Sequence, residues 1–487
     1  MKNQIGRLNP MWAAALPLIA LTALLAGPPE RRLFSILVSA PVFALLQWLL
    51  PEARFRTGHY FSPINVALML LLSKLVVVPV LLITVGSENT ILAIPASISS
   101  MEGALLIDTV AYVAFCLGLQ LTPQRLLAGR FSLLPALARV PHWGFVPLFA
   151  GLGLLGFFLI FRTVDRLLQY YVDPSSILPG FADSTWAEFF GTILRPFLAF
   201  ALATWWTRVA DQSRESGKAW PPVLAGLVAA VGITIANLTF GFNRAAFVFP
   251  ILSLVAVYSA RIRRISPAFT VGVLACVVPL LMAIGSFRSD SEFAAVAPSY
   301  TPDRTPWLTE FSESIQVYSG GPQLTGVFYD SVDWGRRLYG GVTLLSSILT
   351  PIPILGKGFR ETGGPVVYNQ ALYGVSTIAD QIIPFDAELF ANFHIPGVLV
   401  GFFGFGVALA KAELWFDSVG STFGAFVIQY ISVWGAMLST WSLSVFVQIL
   451  FYFLGPVYLY LALLQVRAWL RTTSGRGPCF HTGEIAR

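Results

Sequence analysis

The chain has 487 residues, of which 56% are hydrophobic and only 11% charged, with a formal net charge of +6 and a mean hydropathy of +0.71. A soluble domain carries about 25% charged residues, so this composition leaves too little polar surface to cover a particle of 53.1 kDa in water. A water-soluble fold is excluded, and the composition predicts an all-α, polytopic transmembrane bundle.

Lys2 and Arg7 precede an apolar run from Met11 to Ala26 with the outline of a signal peptide. No small-x-small cleavage site ends the run and further apolar segments follow at once, so it reads as a retained first helix. At roughly 20 apolar residues per crossing, about twelve spans are expected. They fall near 11–26, 33–50, 64–85, 103–122, 143–161, 188–207, 221–238, 243–260, 268–286, 389–411, 422–440 and 443–464. Basic residues stay on the cytoplasmic side of short connections. With the N-terminus inside, the loops holding Arg54 and Arg56, Arg125 to Arg139, Arg208 to Lys218, and Arg261 to Arg264 all fall inside. So does the tail with Arg467, Arg471, Arg476 and Arg487, whereas Arg31 and Arg32 conflict with this orientation.

The expected organisation is therefore residues 1–286 as nine spans, 287–387 as one large external loop with short helices of its own, 388–465 as three more spans, and 466–487 as a cytoplasmic tail. The loop is net acidic, so the overall basic charge is cytoplasmic anchoring and no nucleic-acid partner is expected. Within the loop, Gly341 to Leu355 is apolar but broken by Pro351 and Pro353, which suits an interfacial or re-entrant helix better than a crossing. Cys116, Cys276 and Cys479 are too scattered for a disulfide framework, and His59, His142, His394 and His481 cannot form a local metal cluster.

Four constellations carry candidate chemistry. Gly241-Phe242-Asn243-Arg244 and Gly285-Ser286-Phe287-Arg288 each leave an arginine at the outer end of a span, where it serves either as a diphosphate clamp or as a snorkelling or stop residue. Gly340 to Leu345, the Pro351-Ile352-Pro353 turn, Lys357 and Arg360 form a segment that either meets a lipid phosphate or anchors at the interface. In Asp386 to Gly397, Glu388 is costly in hydrocarbon and is expected to face water or a cation, as a general base or as an arginine's partner. Gly401, Gly404 and Gly406 permit close helix packing, and His394 reads more readily as a hydrogen-bonded packing residue than as a titrating one.

Taken in order, FGFNRAAFVFPILSLVAVYSARIRRIS, the arginine after GSF, YGGVTLLSSILTPIPILGKGFR and AELFANFHIPGVLVGFFGFG resemble the O-antigen polymerase family, the Wzy-type oligosaccharide repeat unit polymerases. The resemblance covers roughly the second half of the chain. It implies a GT-C-like membrane glycosyltransferase in the bacterial cytoplasmic membrane, with both termini cytoplasmic. Such an enzyme joins undecaprenyl-diphosphate-linked oligosaccharide donor and acceptor on the outer face, with no cofactor and no required metal. A chain-length regulator and a flippase are the protein partners it implies. Carried over, Arg244 and Arg288 hold the donor diphosphate, Lys357 and Arg360 flank it, and Glu388 and Arg288 carry the chemistry, with Arg336 and His394 on the substrate-binding side. The chain departs from the family pattern at His394, where the segment usually reads glycine, and at Gly356-Lys357-Gly358, where a proline is often expected.

Two other readings remain open. A ligase that moves the glycan to another acceptor uses the same fold. A transporter of lipid-linked substrate predicts paired polar breaks in both halves of the chain. In the sequence the polar outliers concentrate in the second half, which favours chemistry.

Overall fold

The computed structural model describes residues 6–57, 59–86, 96–122, 134–172, 185–217, 220–238, 244–266, 312, 315–316, 318–331, 338–352, 356–373 and 382–473. Apart from a two-residue ladder pairing Gly6–Arg7 with Arg56–Thr57, the described residues are helical or irregular. The helices are α1 (Ala15–Ala26), α2 (Ile36–Leu49), α3 (Pro63–Thr84), α4 (Ile98–Gln120), α5 (Phe145–Phe161), α6 (Val164–Val172), α7 (Trp186–Ser216) and α8 (Trp220–Leu238). There follow α9 (Arg244–Arg261), α10 (Pro322–Ser331), α11 (Val342–Leu349), α12 (Gly364–Tyr373), α13 (Phe385–Ser418), α14 (Thr422–Ala436), α15 (Leu443–Phe453) and α16 (Gly455–Thr473).

Among the described residues six helices are long and apolar enough to cross a membrane, or up to 8 if the bent pairs α5/α6 and α15/α16 each count as one span. The chain is a helical membrane protein. Three shorter apolar helices, Pro10–Ala26, Ile36–Leu49 and Ala246–Arg261, coincide with further expected spans. Every expected segment but 268–286, which lies outside the described residues, thus corresponds to an apolar helix or bent pair. Serines set several starts: the side chains of Ser62, Ser97, Ser421 and Ser442 accept from the backbone N–H three residues on and cap α3, α4, α14 and α15.

Among the described residues two large apolar cores form, beside a small cluster of Ile160, Phe161 and Tyr170. One joins α1 to α4 with the start of α13 and with α10 and α12, through residues such as Phe43, Tyr112, Phe115, Tyr329 and Phe402. The other joins α5, α7 to α9 and α14 to α16, around Phe149, Phe200, Trp206 and Trp434. Helices α4 and α13 make the most extensive contact among the described residues. They meet backbone to backbone: a Cβ at Gly118 would lie 2.2 Å from the Phe403 carbonyl oxygen, and one at Gly406 would lie 2.2 Å from that of Phe115. Of the glycines expected to permit close packing, Gly406 alone does so between helices, since Gly401 faces Leu389 of its own segment and a Cβ at Gly404 would meet nothing.

Arginines from the loops assigned to one side do gather at one end of the bundle. Arg56 Nε is 2.7 Å from the Glu413 carboxylate near the end of α13, and Arg261 donates to the Phe416 carbonyl. Asp211, 4.0 Å from Arg214, accepts from the Thr422 hydroxyl. Arg31, the conflict in the sequence reading, sits at the far end of α3, donating to the Val85 carbonyl at 3.0 Å. A cation on the last carbonyls of a helix satisfies orphan acceptors and the helix dipole together, which gives that arginine a local reason to be there.

Two outcomes follow from this packing. Gly406→Val should destabilise the protein by about 1–3 kcal/mol through overpacking against α4, while Gly404→Ala changes stability by no more than about 0.5 kcal/mol; thermal unfolding in detergent separates them, and equal effects would place the helix contact elsewhere. His59, buried in the loop before α3 and stacked 5.0 Å from Phe416, has its pKa pushed down to about 4 by burial first and then by Arg56 and Arg261, against a weaker pull from the Ala256 carbonyl. The unfolded imidazole takes its proton near 6.5, so stability from neutral His59 is present above that pH and is lost as pH falls toward 4, by about 3 kcal/mol in all. A His59→Phe variant should lose that part of the acid sensitivity in a Tm-against-pH series.

Candidate functional site

Helix α13 is not one rod. At His394 the backbone takes φ 55° and ψ −155°, a break inside an otherwise helical run. Pro396 follows, and it lacks the N–H that would continue the hydrogen-bond ladder. The residues on either side then pack against one another. Phe385 and Phe402 have ring centroids 5.8 Å apart, although 17 residues of straight helix would separate them by about 25 Å. Leu389 likewise lies against Gly401, and Phe393 against Gly397. Residues 385–393 therefore form a half-helix that folds back along the long arm of α13. The expected span at 389–411 lies across this reversal, and only the part beyond it runs as a single helix.

The half-helix carries Glu388 inward. Sequence reasoning placed this carboxylate facing water or a cation; the structure corrects the first, for Glu388 is fully buried, and among the described residues, which leave out the side chains of Arg244, Arg288, Arg336 and Lys357, no cation pairs with it. The reason is the reversal, which replaces water with dipoles and hydroxyls. The Leu443 backbone N–H, at the first position of α15, donates to Glu388 Oε2 at 3.2 Å, and Ser347 Oγ of α11 is 3.3 Å from Oε1. Gly364, the first residue of α12, approaches so closely that a Cβ there would lie 2.5 Å from Oε1. Two helix N-termini thus converge on one carboxylate, and each presents partial positive charge.

Asn392, one turn further on, ties the half-helix to α11. Its amide donates to Thr343 Oγ1 at 2.6 Å and to the Glu388 carbonyl at 2.7 Å, and its oxygen accepts from the Gly341 N–H at 2.8 Å. Helix α11 has its polarity inverted: Thr343, Ser346 and Ser347 are buried, whereas Val342, Leu345 and Ile348 are exposed. That pattern fits a short helix with its hydroxyls toward Glu388 and its aliphatic side toward lipid, in keeping with the interfacial or re-entrant segment expected from the sequence.

Of the other predicted residues, Arg360 is exposed at the start of the 3-10 turn Arg360–Thr362, whose Thr362 hydroxyl is 2.8 Å from that of Ser346. Lys357 belongs to the turn Gly356–Gly358 and Arg244 begins α9, but their side chains lie outside the described residues. Arg288 and Arg336 lie wholly outside them. The structure thus brings together Glu388, the α11 motif and the Arg360 turn. His394 is half-buried at the reversal, edge-on to Phe390 at 4.9 Å, and lines an apolar groove of about 520 Å³ with Gly103, Leu106, Ile107, Phe390 and Pro396.

Sequence reasoning missed two features. Ser347, Gly364 and Leu443 were not singled out, because a hydroxyl, a glycine and a backbone N–H carry no pattern of their own. The second is a buried cluster in which Lys74 Nζ lies 2.9 Å from Asp108 Oδ1 and 2.5 Å from Asp386 Oδ1. A lone lysine in the span 64–85 and a lone aspartate in the span 103–122 were the available signals. They also correct the view that polar outliers concentrate in the second half. Among the described residues no group of three or more His, Cys, Asp or Glu side chains could hold a metal ion.

Comparison with models of known protein families, with curated proteins and with solved structures gives no match.

His394 occupies a backbone region that is essentially restricted to glycine, at a cost of about 1–3 kcal/mol. His394→Gly should therefore stabilise the protein by about 1 kcal/mol net, once the added freedom of the unfolded chain is subtracted. His394→Ala keeps the Cβ and should show no such gain. Equal loss of stability in both variants would mean that the ring contact with Phe390, not backbone strain, dominates at the turn.

Proposed function

We propose that the chain is a membrane glycosyltransferase that uses a lipid-linked donor. More particularly, it is a repeat unit polymerase, joining polyprenyl-diphosphate-linked oligosaccharides on the outer face of a bacterial cytoplasmic membrane, with about twelve spans in a GT-C-like arrangement and both termini cytoplasmic. The observation that carries this reading is the convergence on Glu388 of two motifs, Gly340 to Leu349 and Asp386 to Gly397, that lie far apart in sequence. Both belong to the segments that resemble the polymerase family. The apolar groove beside the reversal is the lateral opening proposed for the lipid-linked donor.

In the proposed reaction the acceptor hydroxyl forms a bond to the donor's anomeric carbon, the bond from that carbon to the diphosphate oxygen breaks, and the hydroxyl proton passes to a base. Charge grows on the departing diphosphate, and Arg244, Arg288, Arg336, Lys357 and Arg360 are the cations proposed to take it up. Enclosure by Ser347, Gly364 and the Leu443 N–H favours a positioning role for Glu388 over that of a free general base. It holds the starts of α12 and α15 in place, and α12 follows directly on the Arg360 turn.

Purified protein given a lipid-linked repeat unit should produce ladders of extended glycan. Transfer to a different acceptor would make it a ligase, and movement of the donor across the bilayer without transfer would make it a transporter. Glu388→Gln keeps the shape but removes the carboxyl group, and should lower kcat/KM by about 100-fold with part of the loss in donor binding, since a misplaced site costs about that much. A loss confined to kcat would return Glu388 to the role of base, and unchanged kinetics would remove it from the mechanism.

A further inference from the structure

The second polar cluster is independent of the glycosyltransferase reading. Lys74, Asp108 and Asp386 come from α3, α4 and the half-helix, and their exposures are 1%, 1% and 0%. Lys74 sits in a π-helical turn, Ser73–Val77, inside α3. Such turns widen a helix by one residue and recur at functional positions. One ammonium lies within ion-pair reach of an oxygen of each carboxyl group. The second oxygen of each, Asp108 Oδ2 and Asp386 Oδ2, is buried and meets no donor among the described residues.

Charge counting decides what this cluster holds. One lysine and two aspartates, all ionised, would leave a net negative charge on groups at most 1% exposed, with no second cation in the cluster among the described residues. An uncompensated buried charge costs several kcal/mol, and a group so placed neutralises instead. A single proton on the carboxyl pair removes that charge and gives one of the unpartnered oxygens a hydrogen to donate. A metal cation is not needed, because the ammonium already fills the place between the carboxylates.

We propose that Lys74, Asp108 and Asp386 form an intramembrane proton-binding site that holds one proton on the two carboxyl groups at neutral pH. The groups facing it are few. Tyr329 of α10 is the titratable neighbour, its phenol held well above the ordinary range by burial and then by Asp386 and Asp108. Tyr112, a turn further along α4, lies 3.1 Å from the Gln47 amide, and Glu388 is engaged by α11 and α15. Ile107, the residue before Asp108 on α4, lines the open groove beside the reversal. Loss of the proton leaves two carboxylates on one ammonium, one of them on the half-helix that carries Glu388.

Infrared spectroscopy of membrane-reconstituted protein at neutral pH reads the site directly. A protonated carboxyl band is expected that shifts on isotope labelling of aspartate. It should be lost in Asp108→Asn and in Asp386→Asn, which leave one lysine with one carboxylate, and kept in Glu388→Gln. Lys74→Met should strengthen the band, since both carboxyl groups then take protons. If an asparagine variant fails to insert, the strengthening in Lys74→Met ties the band to the cluster, and the band must also survive in Asp211→Asn and in Asp417→Asn, the latter near the end of α13. A wild-type protein without an aspartic acid band, or a band that persists unchanged in both cluster variants or disappears in Asp211→Asn or Asp417→Asn, would overturn the proposal.

Discussion

The reversal of the chain at His394 is the constraint on which this end of the molecule depends. Without it, residues 385–393 would extend α13 away from the bundle, and neither Asp386 nor Glu388 could reach its partners. With it, Asp386 meets α3 and α4 while Glu388 meets α11 and α15. The turn combines a glycine-like backbone at a histidine with a proline two residues on. Both are locally unfavourable, so the packing of Phe385 on Phe402 and of Leu389 on Gly401 has to outweigh them.

Burying two carboxylates on one short half-helix is costly, and the structure offsets the cost in two different ways. Glu388 receives dipoles: the starts of α12 and α15, together with a hydroxyl of a helix whose polar face is turned inward. Asp386 receives a full charge from Lys74, shared with Asp108. The first solution keeps a carboxylate in place with little to exchange. The second leaves a surplus carboxyl group that must find a proton.

Much of the fold was legible because hydropathy reports a span directly, and the loop arginines Arg56, Arg214 and Arg261 do share one end. The hairpin in α13 was not. Its residues are as apolar as a continuous span, and the one local clue, Pro396, is equally compatible with a kink. Of the site, Glu388 and the α11 segment were visible because a carboxylate in an apolar run and a proline-broken helix are both anomalous. Ser347, Gly364 and Leu443 were not, since their part is played by position and backbone. Lys74 and Asp108 were each visible singly, but three spans had to be brought together before they became one cluster.

Asp386 and Glu388 are two residues apart, so they leave the helix at about 200° to one another and serve two separate surroundings through one rigid turn. Buried ionic clusters are weak evidence for stability, because a well-packed apolar replacement is often as good or better. A cluster of two acids and one base is weaker still on that ground, for it leaves one charge to be neutralised. What it does supply is a state that depends on a proton, attached to the same turn that seats Glu388 against α11, α12 and α15. Only Ala387, itself fully buried in the helix, separates Asp386 from Glu388, so a backbone movement of the half-helix at Asp386 carries Glu388 with it.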